Sequence, residues 1–220
     1  MIEKLAKFEV ETWLASARRV ALVASVPLLL ASAPARAEPA APSDGGHEHE
    51  QFFMRFMLGP SYLLATTSLS DQDLTVRGPG GTFQVALGYN IVPKLIVYAE
   101  VFDHITFGPD VSIGDSDPSL EGLTLGLTGI GAGLGYYLPR NVCVSASASL
   151  VRLEATEGDA SDRSDLGGGV NLVISKEWWV SRDWALGAAL QVLVGSVPDD
   201  QVDDSWAVAA VGAGLSVTYD

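Results

Sequence analysis

Residues 82–91 read TFQVALGYNI, a stretch in which large apolar side chains alternate with small or polar ones. The alternating sets are Phe83, Val85, Leu87, Tyr89 and Ile91 against Thr82, Gln84, Ala86, Gly88 and Asn90. A period of two indicates a β-strand whose two faces meet different surroundings. Because the second set holds small and amide side chains rather than lysine and glutamate, it resembles the wall of a packed lumen more than a surface exposed to water.

Seven further segments of the chain alternate in the same way. They are residues 52–65, 94–107, 122–138, 141–153, 166–180, 184–195 and 206–219. In residues 122–138 the apolar positions are odd-numbered up to Leu127 and even-numbered from Ile130 onward, which predicts a β-bulge near Thr128-Gly129. The total is eight strands, and an even number is typical of an antiparallel barrel.

Connections between these segments are short and long in turn. The short ones lie around Pro93 and at residues 139–141 and 181–183, and the long ones are residues 66–81, 108–121, 154–165 and 196–205. The long connections hold fifteen acidic and two basic side chains, so most of the net charge of −14 lies at one end of the strands. Outer-membrane barrels show this asymmetry, with short periplasmic turns and longer extracellular loops. Such acidic loops either stay solvated or hold divalent cations that bridge to lipopolysaccharide.

The first 37 residues have the order of a secretory signal peptide. Arg18-Arg19 precede the apolar residues 20–30, and Ala35-Arg36-Ala37 fits a cleavage site with small residues. We therefore expect residues 1–37 to be removed and residues 38–51 to form a flexible periplasmic linker. The single cysteine, Cys143, excludes an intramolecular disulfide. The acidic composition argues against nucleic acid as a partner.

The remaining question is whether the barrel spans a membrane or is soluble. After the signal peptide no window has roughly 18 uninterrupted apolar residues, so a transmembrane helix is not expected. An exported, apolar chain without such a helix favours a closed β-barrel, the other structure that can span a membrane. A soluble lipocalin-like barrel would also alternate, but with its apolar face inside. We predict an all-β fold, an eight-stranded antiparallel up-and-down transmembrane barrel at residues 52–220, in the bacterial outer membrane.

Aromatic side chains cluster by height along the predicted strands. Near the short turns lie Phe52, Tyr89, Tyr136, Tyr137, Trp178, Trp179, Trp184 and Tyr219, and near the long loops lie Tyr62, Phe107 and Trp206. We expect the two groups to be interfacial girdles, which place aromatic rings at the head-group level on each side of a membrane.

With its signal peptide, eight alternating strands and a terminal strand at residues 211–219, the chain resembles the small outer-membrane β-barrel superfamily that includes the OmpA transmembrane domain, OmpX and OmpW. The resemblance is one of architecture and covers about residues 51–220. The segments GAGLGYY (residues 131–137) and KEWW (residues 176–179) look like strand ends of generic outer-membrane barrel domains. In such proteins alternating apolar residues and a terminal aromatic residue are read by the barrel-assembly machinery. Leu215, Val217 and Tyr219 resemble that signal, and Asp220 follows it.

Polar and charged side chains share the face that we expect to line the lumen. They are Arg55, Gln84, Asn90, Glu100, Asn171, Glu177 and Gln191. Because an isolated buried ion is very costly, we predict that Arg55 pairs with Glu100 or Glu177. Eight strands leave room for little more than side chains, so the lumen should be largely plugged.

Two short motifs could carry chemistry. His47-Glu48-His49-Glu50 offers imidazole and carboxylate ligands for a transition metal, but it lies in the linker and no second cluster completes a site. Asp103-His104 is the acid–histidine pair of the barrel. Neighbouring residues of a strand point to opposite faces, so these two side chains are not expected to act together. We therefore expect no catalytic residue, no metal site and no cofactor.

These observations predict a structural or surface-interaction role in the outer membrane rather than an enzyme. The alternative is a narrow channel for small, including apolar, molecules, which the resemblance to OmpW implies. A third hypothesis is an enzyme that modifies lipid A, since a few barrels of this kind are acyltransferases or deacylases with histidine and serine in acyl transfer.

Overall fold

The computed structural model describes residues 52–69, 72–114, 116, 122–158, 160–199 and 205–219. The predicted signal peptide, the predicted linker and its His47–Glu50 motif lie outside the described residues. Several loop acids lie outside them too, namely Asp71, Asp115, Asp117, Glu121, Asp159, Asp200, Asp203 and Asp204. Within the described ranges, no helix has the length and hydrophobicity needed to cross a membrane.

Ten β-strands make up the described part of the chain. They are β1 (Phe52–Leu69), β2 (Gln72–Val92), β3 (Leu95–Phe107), β4 (Asp110–Ile113), β5 (Leu123–Leu138), β6 (Val142–Glu157), β7 (Ala160–Arg163), β8 (Gly167–Trp179), β9 (Trp184–Val197) and β10 (Trp206–Tyr219). Eight of them form an antiparallel ring in the order β1-β10-β9-β8-β6-β5-β3-β2, which the pairing of β2 with β1 closes. The short strands β4 and β7 pair with β2 and β6 outside this ring. The predicted eight-stranded, all-β barrel is confirmed.

The two faces of each strand are segregated as the alternation predicts. Every strand of the ring keeps a large apolar side chain exposed on the outer surface, for example Leu58, Leu87, Val101, Leu134, Leu150, Leu172, Leu190 and Leu215. The intervening residues line the interior, and most of their polar side chains are buried. This is the reverse of a lipocalin-like barrel, in which the apolar face is inside.

The bulge predicted in the fifth strand is absent. β5 pairs with β3 and β6 without a change of register, and its alternation runs unbroken through Thr128 and Gly129. Leu123, Leu125 and Leu127 therefore face inward rather than outward. In this strand the apolar residues switch from odd to even positions because the inner wall of the barrel is apolar at the long-loop end. There the odd-numbered leucines face the lumen. A register shift occurs instead between Asn90 and Val92, beside the β2–β3 turn.

Two of the predicted long loops are largely strand. β1 and β2 remain paired as far as Leu69 and Gln72, so residues 66–69 and 72–81 extend the barrel wall as two paired strands. β6 and β7 form a second hairpin that is paired from Glu154–Arg163 to Glu157–Ala160. The polar composition of these segments was misleading, because paired strands satisfy their backbone hydrogen bonds whatever side chains they carry.

Candidate functional site

A network of hydrogen bonds in the middle of the lumen converges on Glu100 of β3. Its Oε2 accepts a hydrogen bond from Nε2 of Gln84 on β2 at 2.5 Å. Its Oε1 accepts from Nδ2 of Asn171 on β8 at 2.9 Å and from the hydroxyl of Ser147 on β6. The Glu100 side chain is only 2% exposed. Four strands of the barrel are thus joined through one carboxylate.

The same network continues from Asn171 across the interior to β2. Asn171 Oδ1 accepts a hydrogen bond from Nε2 of Gln191 on β9, and Gln191 Oε1 accepts one from Oγ1 of Thr82, each at 3.1 Å. Thr82 and Gln84 lie on one face of β2, so the chain of bonds starts and ends on the same strand. We call this set the polar belt, and it comprises Thr82, Gln84, Glu100, Ser147, Asn171 and Gln191.

Arg55 spans the lumen from β1 to the opposite wall. Its guanidinium donates to Ser145 Oγ on β6 at 3.2 Å and to Ser175 Oγ on β8 at 3.5 Å, and Nη1 contacts Cys143 Sγ at 4.0 Å. The guanidinium also lies 5.7 Å from the centre of the Phe53 ring. Where an ion pair with Glu100 or Glu177 was predicted, the hydrogen-bond and sulfur contacts of Arg55 in the described part of the chain are with two hydroxyls and a thiol. Glu100 is held by the polar belt instead.

Glu177 of β8 forms a separate brace nearer the short turns. Its two carboxylate oxygens accept hydrogen bonds from the Tyr137 hydroxyl of β5 at 2.8 Å and from Thr218 Oγ1 of β10 at 3.0 Å. The Glu177 side chain is fully buried. Asn90, the remaining residue of the predicted lumen set, is half-buried at the same end of β2, away from the polar belt.

Six of the eight rings that were predicted for the girdle at the short-turn end point outward from the barrel. Phe52, Tyr89, Tyr136, Trp178, Trp184 and Tyr219 lie on the outer face, and the Tyr219 ring lies 6.2 Å from that of Phe52 and 5.1 Å from that of Trp184. Tyr137 and Trp179 instead lie on the inner face. In each doublet adjacent strand residues point in opposite directions, so only one ring can reach the outside. Leu215 and Val217 share the outer face of β10 with Tyr219.

An apolar cluster fills the lumen at the long-loop end, and we call it the apolar plug. It comprises Leu63, Ala65, Val76, Phe102, Val111, Leu123, Leu125, Leu127, Val151, Leu153, Ala155, Leu193, Val197, Trp206, Val208 and Ala210. Trp206 was expected in the outer girdle, but it is buried in the plug, and its indole Nε1 donates to Asp199 Oδ2 at 3.1 Å. The sequence pattern missed the plug because apolar residues on the inner face were assigned to the outer one.

The structure does not bring Asp103 and His104 together. Asp103 faces outward and accepts a hydrogen bond from Thr128 Oγ1 at 3.3 Å. His104 is fully buried in the lumen beside the edge of the Phe102 ring, at 6.1 Å between centroids, and neither ring nitrogen has a hydrogen-bond partner. The hydroxyl of Thr106, on the same face, donates to the Gly78 carbonyl. Among the described residues no group of three or more His, Cys, Asp or Glu side chains could hold a metal ion.

The sequence identified the charged members of the lumen but not the hydroxyl groups that bind them. Ser145, Ser147, Ser175 and Thr218 hold Arg55, Glu100 or Glu177 in place. Each lies at an inner position of its strand, so its place in the alternation could have identified it as a lumen residue. Which hydroxyl meets which charge depends on how strands that are distant in sequence face one another across the barrel.

Comparisons with known proteins find similar architecture in solved outer-membrane barrels. Neisserial surface protein A is 16% identical, with a TM-score of 0.47 over 76% of this chain and 96% of that one. The outer membrane protein AlkL is 11% identical, with a TM-score of 0.48 over 83% and 96% of the two chains. OprG from Pseudomonas aeruginosa is 13% identical, with a TM-score of 0.45 over 79% and 98%. No protein-family model and no curated protein matches the sequence.

Proposed function

We propose that this protein is a sealed outer-membrane β-barrel with a structural or surface-interaction role, in which the barrel holds two hairpins and the acidic long loops outside the cell. The outward apolar face on all eight ring strands supports placement in a bilayer, because such a continuous exposed apolar surface is rare on soluble monomers. The closed ring leaves no unpaired strand edge within the membrane, as a lipid-exposed sheet requires.

The observation that carries the sealed role is the burial of the inner side chains. A water-filled pore exposes the side chains that line it, whereas Gln84, Asn171 and Gln191 are fully buried. The lumen is crossed in turn by the Glu177 brace, by Arg55, by the polar belt and by the apolar plug. With every level occupied, the surfaces left for contact with other molecules are the hairpins and the outer wall.

We expect the purified barrel to give no steady conductance in a planar bilayer. The polar belt and the apolar plug leave no continuous water path, and ions do not cross an apolar layer without one. The measurement is single-channel recording, with a known porin in the same bilayer as a positive control. A heat-dependent shift in gel mobility would show beforehand that the barrel is folded. Steady current steps from folded protein would contradict the sealed lumen and favour the channel.

We also expect the long hairpins to be outside the cell, and Lys94, Arg140 and Arg182 to face the periplasm. An epitope inserted after Gly158, in the turn between β6 and β7, should be labelled on intact cells. An epitope inserted after Arg140, in the short β5–β6 turn, should be labelled only after the cells are opened. The opposite pattern would show that the barrel has the reverse orientation.

One observation favours a narrow channel for small apolar molecules as a second candidate. The apolar plug gives the long-loop half of the lumen a lining that such molecules could enter after a local rearrangement. Conductance does not report on this route, because apolar solutes carry no current. Uptake of an apolar dye into liposomes would decide the matter: uptake that depends on the folded barrel supports the channel, and uptake equal to that of empty liposomes removes it.

A further inference from the structure

A row of polar side chains interrupts the outer surface where the apolar face ends. Asp103 of β3 pairs in register with Thr128 of β5, and Thr128 pairs with Arg152 of β6. All three side chains lie on the outward face. One pleat nearer the short turns, the outward residues are the exposed Ile130 and Leu150. On β5 and β6 the row marks the level at which the outward residues change from apolar to polar toward the hairpins, whereas on β3 the outward Ile105 and Phe107 continue the apolar face beyond Asp103.

Among the charged side chains that the structure describes at this level, Arg152 is the one for which no protein partner is found. Asp103 accepts a hydrogen bond from Thr128, and Glu154 forms an ion pair with Arg163 at 2.9 Å. Both nearby carboxylates are thus engaged. Among the described residues no carboxylate oxygen lies within 4.0 Å of an Arg152 nitrogen, and the buried Nε of Arg152 has no hydrogen-bond partner. A guanidinium at the edge of an apolar surface needs an anion, and its planar fork fits two phosphate oxygens.

We infer that Arg152 anchors a binding site for the head group of a phosphorylated glycolipid, in the leaflet next to the hairpins. This inference rests on the proposed membrane location. Arg152 would bind the phosphate, Asp103 and Thr128 would bind sugar hydroxyls, and an acyl chain would lie over Ile130 and Leu150. The combination of a guanidinium with a carboxylate and a hydroxyl favours a head group that carries both phosphate and hydroxyl groups.

The test uses the folded barrel in phosphatidylcholine nanodiscs that contain lipid A, either with its phosphates or after their removal. Native mass spectrometry counts the lipid A molecules retained on each barrel. The wild type should retain the phosphorylated form in preference to the phosphate-free form. Arg152→Gln should weaken this retention about tenfold, the effect of losing one charge-assisted contact. Arg152→Lys should retain an intermediate amount, because it keeps the charge without the fork.

Arg77→Gln is the matched control, since it removes the same charge from β2, where Arg77 lies opposite Asp110 in the strand pairing with β4. It should bind lipid A as the wild type does. Equal losses in Arg152→Gln and Arg77→Gln would overturn the site, as would equal retention of the two forms of lipid A by the wild type. A barrel that does not insert into nanodiscs would overturn the membrane location itself, whereas an inserted barrel without preference overturns only the site.

Discussion

Replacing Arg55 by methionine should lower the free energy of unfolding by about 3 kcal/mol, since a hydrogen bond from a charged group contributes about 1.5–3 kcal/mol and Arg55 donates two. Arg55 is 1% exposed, and it is the one buried arginine or lysine among the described residues. Its removal leaves the buried carboxylates of Glu100 and Glu177 without a positive charge in the lumen. Methionine keeps much of the apolar stem and so limits the cavity. Urea unfolding in lipid vesicles, followed by tryptophan fluorescence, measures the change.

A double variant separates charge from packing in this experiment. Glu100→Gln alone should also destabilise, because its new amide N–H group faces the donors of Gln84 and Asn171. Arg55→Met with Glu100→Gln removes one charge of each sign, so we expect a smaller loss than the sum of the two single variants. Strict additivity would show that Arg55 acts through its hydrogen bonds to Ser145 and Ser175 and not through its charge.

Placing arginine at position 190 should cost about 2–4 kcal/mol, the penalty for a basic side chain at the midplane of a membrane barrel. Leu190 lies midway along β9, between Trp184 at one end and Ser196 near the other, and it is 56% exposed on the outer face. In lipid the guanidinium must be dehydrated or must draw water into the bilayer, whereas in water it would remain hydrated. Unfolding in vesicles measures the loss.

Leu166→Arg is the matched control for this variant. Leu166 is equally exposed, but it precedes the first residue of β8, beyond the centre of the apolar face. There the penalty should fall to about 0–1 kcal/mol. If both variants are as stable as the wild type, and if the protein is recovered without detergent, the outer surface faces water and the proposed location is wrong.

Much of the fold could be predicted because odd- and even-numbered residues of a strand face opposite sides of the barrel wall. In residues 82–91 the outer and inner sets are separated without exception, and the structure keeps that assignment. Parity fails where both faces are apolar, as at Leu123, Leu125 and Leu127, since hydrophobicity alone does not say which side of a sheet a leucine occupies. The prediction also fails for Trp178-Trp179. Both rings were assigned to the outer girdle because they lie at the same height, but adjacent strand residues point to opposite faces, so Trp179 lies inside.

The contacts within the lumen could not be predicted from the sequence, for a different reason. That Arg55 and Glu100 would be buried followed from their inner positions. That they bind separate hydroxyl and amide groups depends on the diameter of the ring and on the stagger between strands, which together decide which side chains meet across the interior. Local patterns contain neither quantity. Arg55 reaches Ser145 on the opposite wall, 90 residues along the chain.

The long reach of Arg55 has a consequence for how the barrel is built. Its strand is the first of the ring, yet its acceptors lie on β6 and β8, and the last ring strand, β10, completes the wall between them. Before β1 and β10 pair, the guanidinium cannot meet both acceptors in a dry interior, and the unfinished sheet gains little from its charges. Pairing of β1 with β10 and exclusion of water from the interior are then one cooperative step. An open barrel would leave this guanidinium in water, so the buried contacts of Arg55 favour the closed ring over the open one.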